Sequence, residues 1–203
     1  MANQKDFLTL SEDLLLGEGM GRKCYIYPGD NDLCIKIPLK RAKRSAQREI
    51  NYLRRLHKRG KSFDMIADYK GDIVTNIGRG NLYELVRDYD SSISKNLEYY
   101  LNLNDKKITS KILNLIEDLR SYLIKEYILF SDLDMDNILV KKENEFDYKL
   151  VVIDGIGDNN QIQFLEYFPM LGMKRCVKKW DLFKTKIGQK FPNVTKNIKS
   201  FSD

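Results

Sequence analysis

Short apolar runs separated by turn residues fill the first part of the chain, a pattern typical of β-strands. The second run leads, through the strong turn signal Pro28–Asp32, into a third run that contains Lys36. A different pattern follows, because Ala46, Ile50, Leu53 and Leu56 recur at helical spacing over 45–58. We therefore predict a five-stranded antiparallel sheet with one helix. The predicted strands lie near residues 14–16, 23–27, 33–37, 72–75 and 82–87.

The rest of the chain has mostly helical periodicity. Apolar positions form one continuous face over 107–127, and this face predicts the longest helix. Two apolar runs on either side of Glu143–Asp147 predict a hairpin. We therefore predict an α+β chain with two parts, a sheet with one helix over 1–87 and a mostly helical part over 88–203. The other predicted elements are helices over 94–102 and 164–187 and hairpin strands at 138–140 and 150–153.

Composition and charge narrow the range of partners. The chain has 203 residues, of which 42% are hydrophobic, so it can form a real core. The net charge is +6, but the Lys and Arg residues are dispersed among acids, so a nucleic-acid partner is not expected. The three cysteines are scattered and suggest no zinc site. No signal segment or membrane span is recognisable, and we expect a cytoplasmic protein.

Candidate chemistry begins with the glycine-rich segment 17–21. Gly17, Gly19 and Gly21 let backbone amides approach phosphate oxygens, because no Cβ intervenes. A tight hairpin turn would explain the same glycines. A strand rather than a helix is predicted after them, however, which favours a flap over nucleotide phosphates.

Lys36 and Glu49 form the next candidate pair. Lys36 lies inside an otherwise apolar strand, where an ammonium group needs a partner or an exposed tip. Glu49, on the following helix, could be that partner, although a solvated lysine and a solvated glutamate remain the simpler alternative. With the glycine segment upstream, we predict a Lys36–Glu49 ion pair that faces a nucleotide cleft.

Two acidic segments complete the candidate site. Asp132 and Asn137 follow the longest helix in the order Asp-x-x-x-x-Asn and precede a strand. Asp132 would orient an acceptor hydroxyl, whereas Asn137 and Asp154, which ends the next strand, would hold Mg²⁺ through oxygen atoms. An ordinary acidic turn is the alternative, because Asp and Asn are common in turns.

These motifs resemble the protein-kinase-like fold, with its sheet-containing N-lobe and helical C-lobe, and more narrowly the bacterial YrbL family of PhoP regulatory network proteins. The resemblance extends from about residue 14 to 187. It implies ATP and Mg²⁺ as cofactors and a place in a regulatory network, but it names no activity. The residues that carry it are Gly17, Gly19, Gly21, Lys36, Glu49, Asp132, Asn137 and Asp154, with segments 22–28, 34–37, 48–49, 137–139, 154–157 and 174–180 for the narrower family.

Departures from the kinase pattern leave the activity open. Phe130 and Ser131 replace the usual His-Arg, and Gly155 replaces a phenylalanine. Asp134 stands where a phosphate-neutralising lysine is usual, and the part after Asp154 is short, so the C-lobe would be truncated. We expect an atypical phosphotransferase that acts on an unidentified small molecule or protein. A nucleotide-binding or scaffolding pseudokinase is the alternative, and a module that binds RNA or a membrane surface through residues 174–186 is a third reading.

Overall fold

The structure is a computed structural model and describes residues 7–131, 133–157 and 164–192. A six-stranded sheet and one long helix form its first part. The predicted five strands are present, and a further strand joins them at one edge. Helix α1 spans Lys43–Lys58. The six strands are β1 (Phe7–Leu8), β2 (Leu15–Glu18), β3 (Arg22–Ile26), β4 (Leu33–Pro38), β5 (Tyr69–Thr75) and β6 (Gly78–Glu84).

The sheet differs from the prediction at its edge. Its strand order is β1-β5-β6-β4-β3-β2, and β1 pairs with β5 in parallel, so the sheet is mixed rather than purely antiparallel. The pattern did not indicate β1 because two residues give no periodicity. Gly80 lies within β6, where a Cβ would meet Ile35 Cγ2 at 2.5 Å and Ile37 Cδ1 at 2.7 Å, so the packing there requires glycine.

Helix α1 packs one face against this sheet, as its spacing predicts. Ala46, Ile50, Leu53 and Leu56 are all buried. Glu49 lies on the same face and is only 2% exposed, although it is an acid. A buried carboxylate requires a charged or hydrogen-bonding partner, so we expect such a partner next to Glu49.

The second part combines helices with a small sheet. The pattern predicted a helix over 94–102, but Lys95 and Asn96 instead form the edge strand of that sheet. Helix α2 begins only after Asn96, whose side chain caps it by accepting from the Tyr99 amide at 2.9 Å. The elements are β7 (Lys95–Asn96), α2 (Leu97–Asn102), α3 (Lys106–Lys125), β8 (Ile138–Lys142), β9 (Tyr148–Val152) and α4 (Pro169–Lys190).

Helix α4 packs against core residues from the middle of the sequence. Its buried residues Cys176, Trp180, Phe183 and Ile187 recur at helical spacing. The Trp180 ring meets Phe130 edge to face, with 6.5 Å between ring centroids. This contact fixes α4 against the segment that leads into residues 131–137. Within the described residues, no helix is long and apolar enough to cross a membrane.

Candidate functional site

The glycine segment forms the tip of the hairpin between β2 and β3. Gly17 lies opposite Cys24, and the Gly19 amide donates to the Arg22 carbonyl at 2.9 Å. A Cβ at Gly17 would meet nothing within 4 Å, and at Gly19 only the Arg22 carbonyl oxygen at 3.9 Å. Internal packing therefore does not require glycine at these two positions. Close approach of a ligand to the backbone would explain why glycine stands there.

The tip of this hairpin is tied to the segment before α1. The Arg41 guanidinium donates to the Met20 carbonyl, with Nε at 2.7 Å. The Leu39 amide donates to the Gly21 carbonyl at 2.8 Å. These bonds orient the loop while leaving the Met20 side chain 87% exposed at its apex.

Lys36 is buried and reaches across to the other part of the chain. Its Nζ donates to the Ile153 carbonyl at 2.5 Å and lies 4.3 Å from the centroid of the Tyr83 ring. The two bonded residues are 117 positions apart in sequence. The bond places the ammonium group directly beside the residue that precedes Asp154.

Glu49 does not pair with Lys36, and this part of the prediction is wrong. Its Oε2 lies 2.8 Å from Arg22 Nη2, so the guanidinium of the glycine hairpin takes the place expected for the lysine. Burial raises the pKa of Glu49 to about 7, while Arg22 and Lys36 act in the opposite direction. The planar guanidinium can serve two carboxylates at once, which a lysine ammonium on a strand cannot do with the same geometry.

Arg22 serves a second carboxylate at Asp154. Its Nη2 lies 3.1 Å from Asp154 Oδ1, which also accepts from the Gly155 amide at 2.8 Å. Burial opposes the charge on Arg22, but Glu49 and Asp154 outweigh it and raise the pKa of Arg22. Of the predicted site residues, Glu49 and Asp154 therefore share Arg22, and Lys36 contacts the backbone directly before Asp154.

Asn137 is held next to Asp154 by the backbone. The Ile153 amide donates to the Asn137 carbonyl at 2.9 Å, so the two predicted metal ligands lie on adjoining segments. Asn137 ends a short 3-10 helix, Met135–Asn137, whose preceding residue Asp134 accepts from the Met135 amide at 2.7 Å. Asp132 lies outside the described residues.

The fit of these residues to Mg²⁺ can be judged from donor chemistry. The described part of the chain contains no group of three or more His, Cys, Asp or Glu side chains placed to hold a metal. Magnesium commonly uses only one or two protein oxygen ligands and completes its shell with water and phosphate oxygens. The half-buried Asp154 carboxylate and the neighbouring Asn137 amide fit that pattern, provided that nucleotide binds with the ion.

Two site residues escaped sequence reasoning, and both are basic. Arg22 directly follows the last glycine of the loop, and that position was its one available signal. Lys186, on α4, places its Nζ 3.2 Å from Asp134 Oδ2. Two other lysines of α4 also form ion pairs. Lys184 Nζ lies 3.9 Å from Asp181 Oδ1, and Lys190 Nζ lies 2.5 Å from Glu98 Oε2. Acids thus accompany the basic face, which argues against a nucleic-acid interface.

Comparison with known sequences gives a family and no activity. The family profile described as "PhoP regulatory network protein YrbL" matches residues 8–188. An Escherichia coli K12 protein described as "Uncharacterized protein YrbL" is 29% identical over 180 residues, which cover 87% of this chain and 86% of the relative. A protein from Shigella flexneri with the same description matches to the same extent.

Proposed function

The chain belongs to the YrbL family of PhoP regulatory network proteins, and we propose that it is an atypical ATP- and Mg²⁺-dependent phosphotransferase with a two-lobe, protein-kinase-like fold. Its acceptor is a small molecule or a protein that the site geometry does not specify. One observation carries this proposal. The guanidinium of Arg22, in the glycine hairpin, contacts a buried helix glutamate and a strand-end aspartate, and a buried lysine on the next strand contacts the residue before that aspartate.

Each residue has a physical role in such a reaction. The open glycine hairpin presents backbone amides to phosphate oxygens, and Lys36 supplies a positive charge beside them. Asn137 and Asp154 would hold Mg²⁺, which neutralises phosphate charge when bound. Asp132 would orient the acceptor hydroxyl and accept its proton, a role that rests on its place in the sequence.

Arg22 gives the pseudokinase alternative its own support. Its guanidinium lies against Asp154, so this carboxylate is neutralised without a metal ion. A protein that binds nucleotide only to change shape could use this arrangement without any phosphoryl transfer. The same arrangement also suits an enzyme in which binding of Mg²⁺ and nucleotide displaces the guanidinium from Asp154, since the two groups share one contact, between Arg22 Nη2 and Asp154 Oδ1.

Binding and turnover measured together test the proposal. We expect calorimetry to detect ATP binding that requires Mg²⁺, and we expect slow Mg²⁺-dependent ATP hydrolysis or transfer. Binding without turnover for any candidate acceptor would favour the pseudokinase. A protein that binds no nucleotide in the presence of Mg²⁺ would contradict both the phosphotransferase and the nucleotide-binding pseudokinase.

A further inference from the structure

We propose that Lys186, on α4, provides the positive charge beside the transferred phosphate that the segment 132–137 does not itself carry. The inference rests on the proposed function and adds a phosphate-binding residue to it. The observation behind it is the ion pair between Lys186 Nζ and Asp134 Oδ2, with 3.2 Å between the atoms. The two residues are 52 positions apart, so only the fold brings them together.

Asp134 is held in a fixed orientation, which makes it a suitable anchor. Its Oδ1 accepts from the Met135 amide, and its carbonyl accepts from the Asn137 amide at 3.0 Å. The remaining oxygen, Oδ2, faces Lys186. Asp134 therefore links the lysine to the same short helix that carries the proposed metal ligand Asn137, and it sets where the ammonium group can lie.

Helix α4 positions Lys186 from the other side. Its neighbours Phe183 and Ile187 are buried in the core and fix the rotation of the helix at this turn. The Lys186 and Asp134 side chains nevertheless stay 40% and 44% exposed. The pair is thus anchored through its backbones and is partly exposed to solvent at its charged ends.

The local charge balance explains why a cation is needed here. Asp134, Asp136 and Asp154 lie on the two adjoining segments, and the sequence adds Asp132. A triphosphate brought next to these carboxylates is repelled unless positive groups intervene, and such groups stabilise the charge that spreads over the transferred phosphoryl oxygens. Arg22 contacts Asp154 and Lys36 contacts the Ile153 carbonyl, whereas Lys186 contacts Asp134.

The chain contains a matched control for this lysine. Lys190 lies one helical turn further along α4 and forms its own ion pair with Glu98 at 2.5 Å. An exposed or half-exposed ion pair contributes little to stability, so both substitutions should leave the fold intact. An effect on phosphate binding that occurs in Lys186→Met but not in Lys190→Met would then be specific to Lys186.

The test compares binding of two nucleotides by calorimetry, with Mg²⁺ present, for the wild type, Lys186→Met and Lys190→Met. The probes are the non-hydrolysable ATP analogue AMP-PNP and ADP. We expect Lys186→Met to weaken AMP-PNP binding by about 10-fold, because the terminal phosphate loses a cation contact. ADP binding should change less than about twofold, and Lys190→Met should affect neither nucleotide.

A second variant tests the position of the charge. Asp134→Lys combined with Lys186→Met returns a positive group to the same place, and we expect it to restore most of the preference for AMP-PNP over ADP. Equal losses for both nucleotides, or equal behaviour of Lys186→Met and Lys190→Met, would overturn the role of Lys186 and leave the proposed function standing. A wild-type protein that binds neither nucleotide would overturn both.

Discussion

Arg22 Nη2 lies 2.8 Å from Glu49 Oε2, so the buried acid of α1 is neutralised by the hairpin that carries the glycines. The same guanidinium group reaches Asp154 at 3.1 Å. One side chain therefore joins the glycine hairpin, the helix and the end of β9. A displacement of the hairpin would therefore change the electrostatic environment of both carboxylates.

Nucleotide should raise the melting temperature of the protein. ATP with Mg²⁺ at about 100 times its Kd would add about 2.7 kcal/mol to stability, or about 5–10 °C for a chain of this size. Lys36→Ala and Asp154→Ala should each remove most of this shift. Thermal melts of these variants, with the exposed Lys70→Ala on β5 as control, provide the measurement. A full shift in Asp154→Ala would contradict the metal role of that carboxylate.

Substitution of Arg22 should destabilise the protein because it leaves Glu49 buried and unpaired. Arg22→Met should lower the free energy of unfolding by up to about 3–5 kcal/mol near neutral pH. The neighbouring Lys23→Met removes only an exposed pair with Glu18 and should cost much less than Arg22→Met. Urea denaturation measures both. Equal small losses would show that Glu49 is satisfied without the guanidinium.

The raised pKa of Glu49 should make stability depend on pH. In the folded protein its pKa is about 7, against 4.5 for the ordinary carboxyl, so the folded state holds the proton more tightly. The resulting stability is fully present below about pH 4.5 and is lost as the pH rises through about 7. Relative to Glu49→Gln, the wild type should lose up to about 3 kcal/mol between pH 4.5 and 8. Denaturation at both pH values checks this, and a constant difference would contradict it.

Asp132 should separate turnover from binding. Asp132→Asn should reduce phosphate transfer or ATP hydrolysis by orders of magnitude, because the carboxylate orients the acceptor hydroxyl. It should leave ATP affinity within a few-fold, since the residue acts on the acceptor. Steady-state rates and calorimetric affinities provide the two readouts. A variant that turns over ATP as fast as the wild type would disprove the assigned mechanism.

Two glycines should respond to substitution in opposite ways. A Cβ at Gly157 would meet Tyr52 side-chain atoms at 2.2–2.4 Å, and its φ of +69° already disfavours other residues. Gly157→Ala should therefore destabilise the fold by about 2 kcal/mol or more. A Cβ at Gly17 meets nothing, so Gly17→Ala should keep stability and reduce the ATP-induced thermal shift. Melting curves with and without ATP distinguish the two effects.

The elements that could be predicted are those whose pattern is local. The apolar spacing of α1 indicated its extent to within two residues at its start and correctly at its end. Strand β7 escaped prediction because Lys95 and Asn96 lie in a stretch with helical spacing, and Asn96 acts as a cap rather than as a helical residue. Such short elements are decided by tertiary pairing, which a window of sequence does not contain.

The candidate site was predictable as a set of residues but not as a set of contacts. Lys36, Glu49 and Asp154 were recognisable from their order and spacing, but Glu49 and Asp154 contact Arg22, and Lys36 contacts the Ile153 carbonyl. The partner of Glu49 depends on three elements at once, and an arginine directly after a glycine loop carries no sign of which acid it will reach. The Lys186–Asp134 pair joins a helix and a loop 52 residues apart, so no local pattern could indicate it.

Strand β1 has a consequence for the tendency of the protein to aggregate. Its two residues pair with Val74 and Thr75 at one end of the seven-residue strand β5, and Asn76 fastens the adjoining segment through bonds with the Leu10 amide and carbonyl at 2.8 and 3.1 Å. Without that pairing, this end of β5 would offer further unpaired amides and carbonyls to the edge of another molecule. At the opposite edge, β2 has an irregular register between Leu15 and Gly17 and the charged Glu18 at its end. These features make the end of β5 and the strand β2 poorer templates for the intermolecular strand pairing that leads to aggregates.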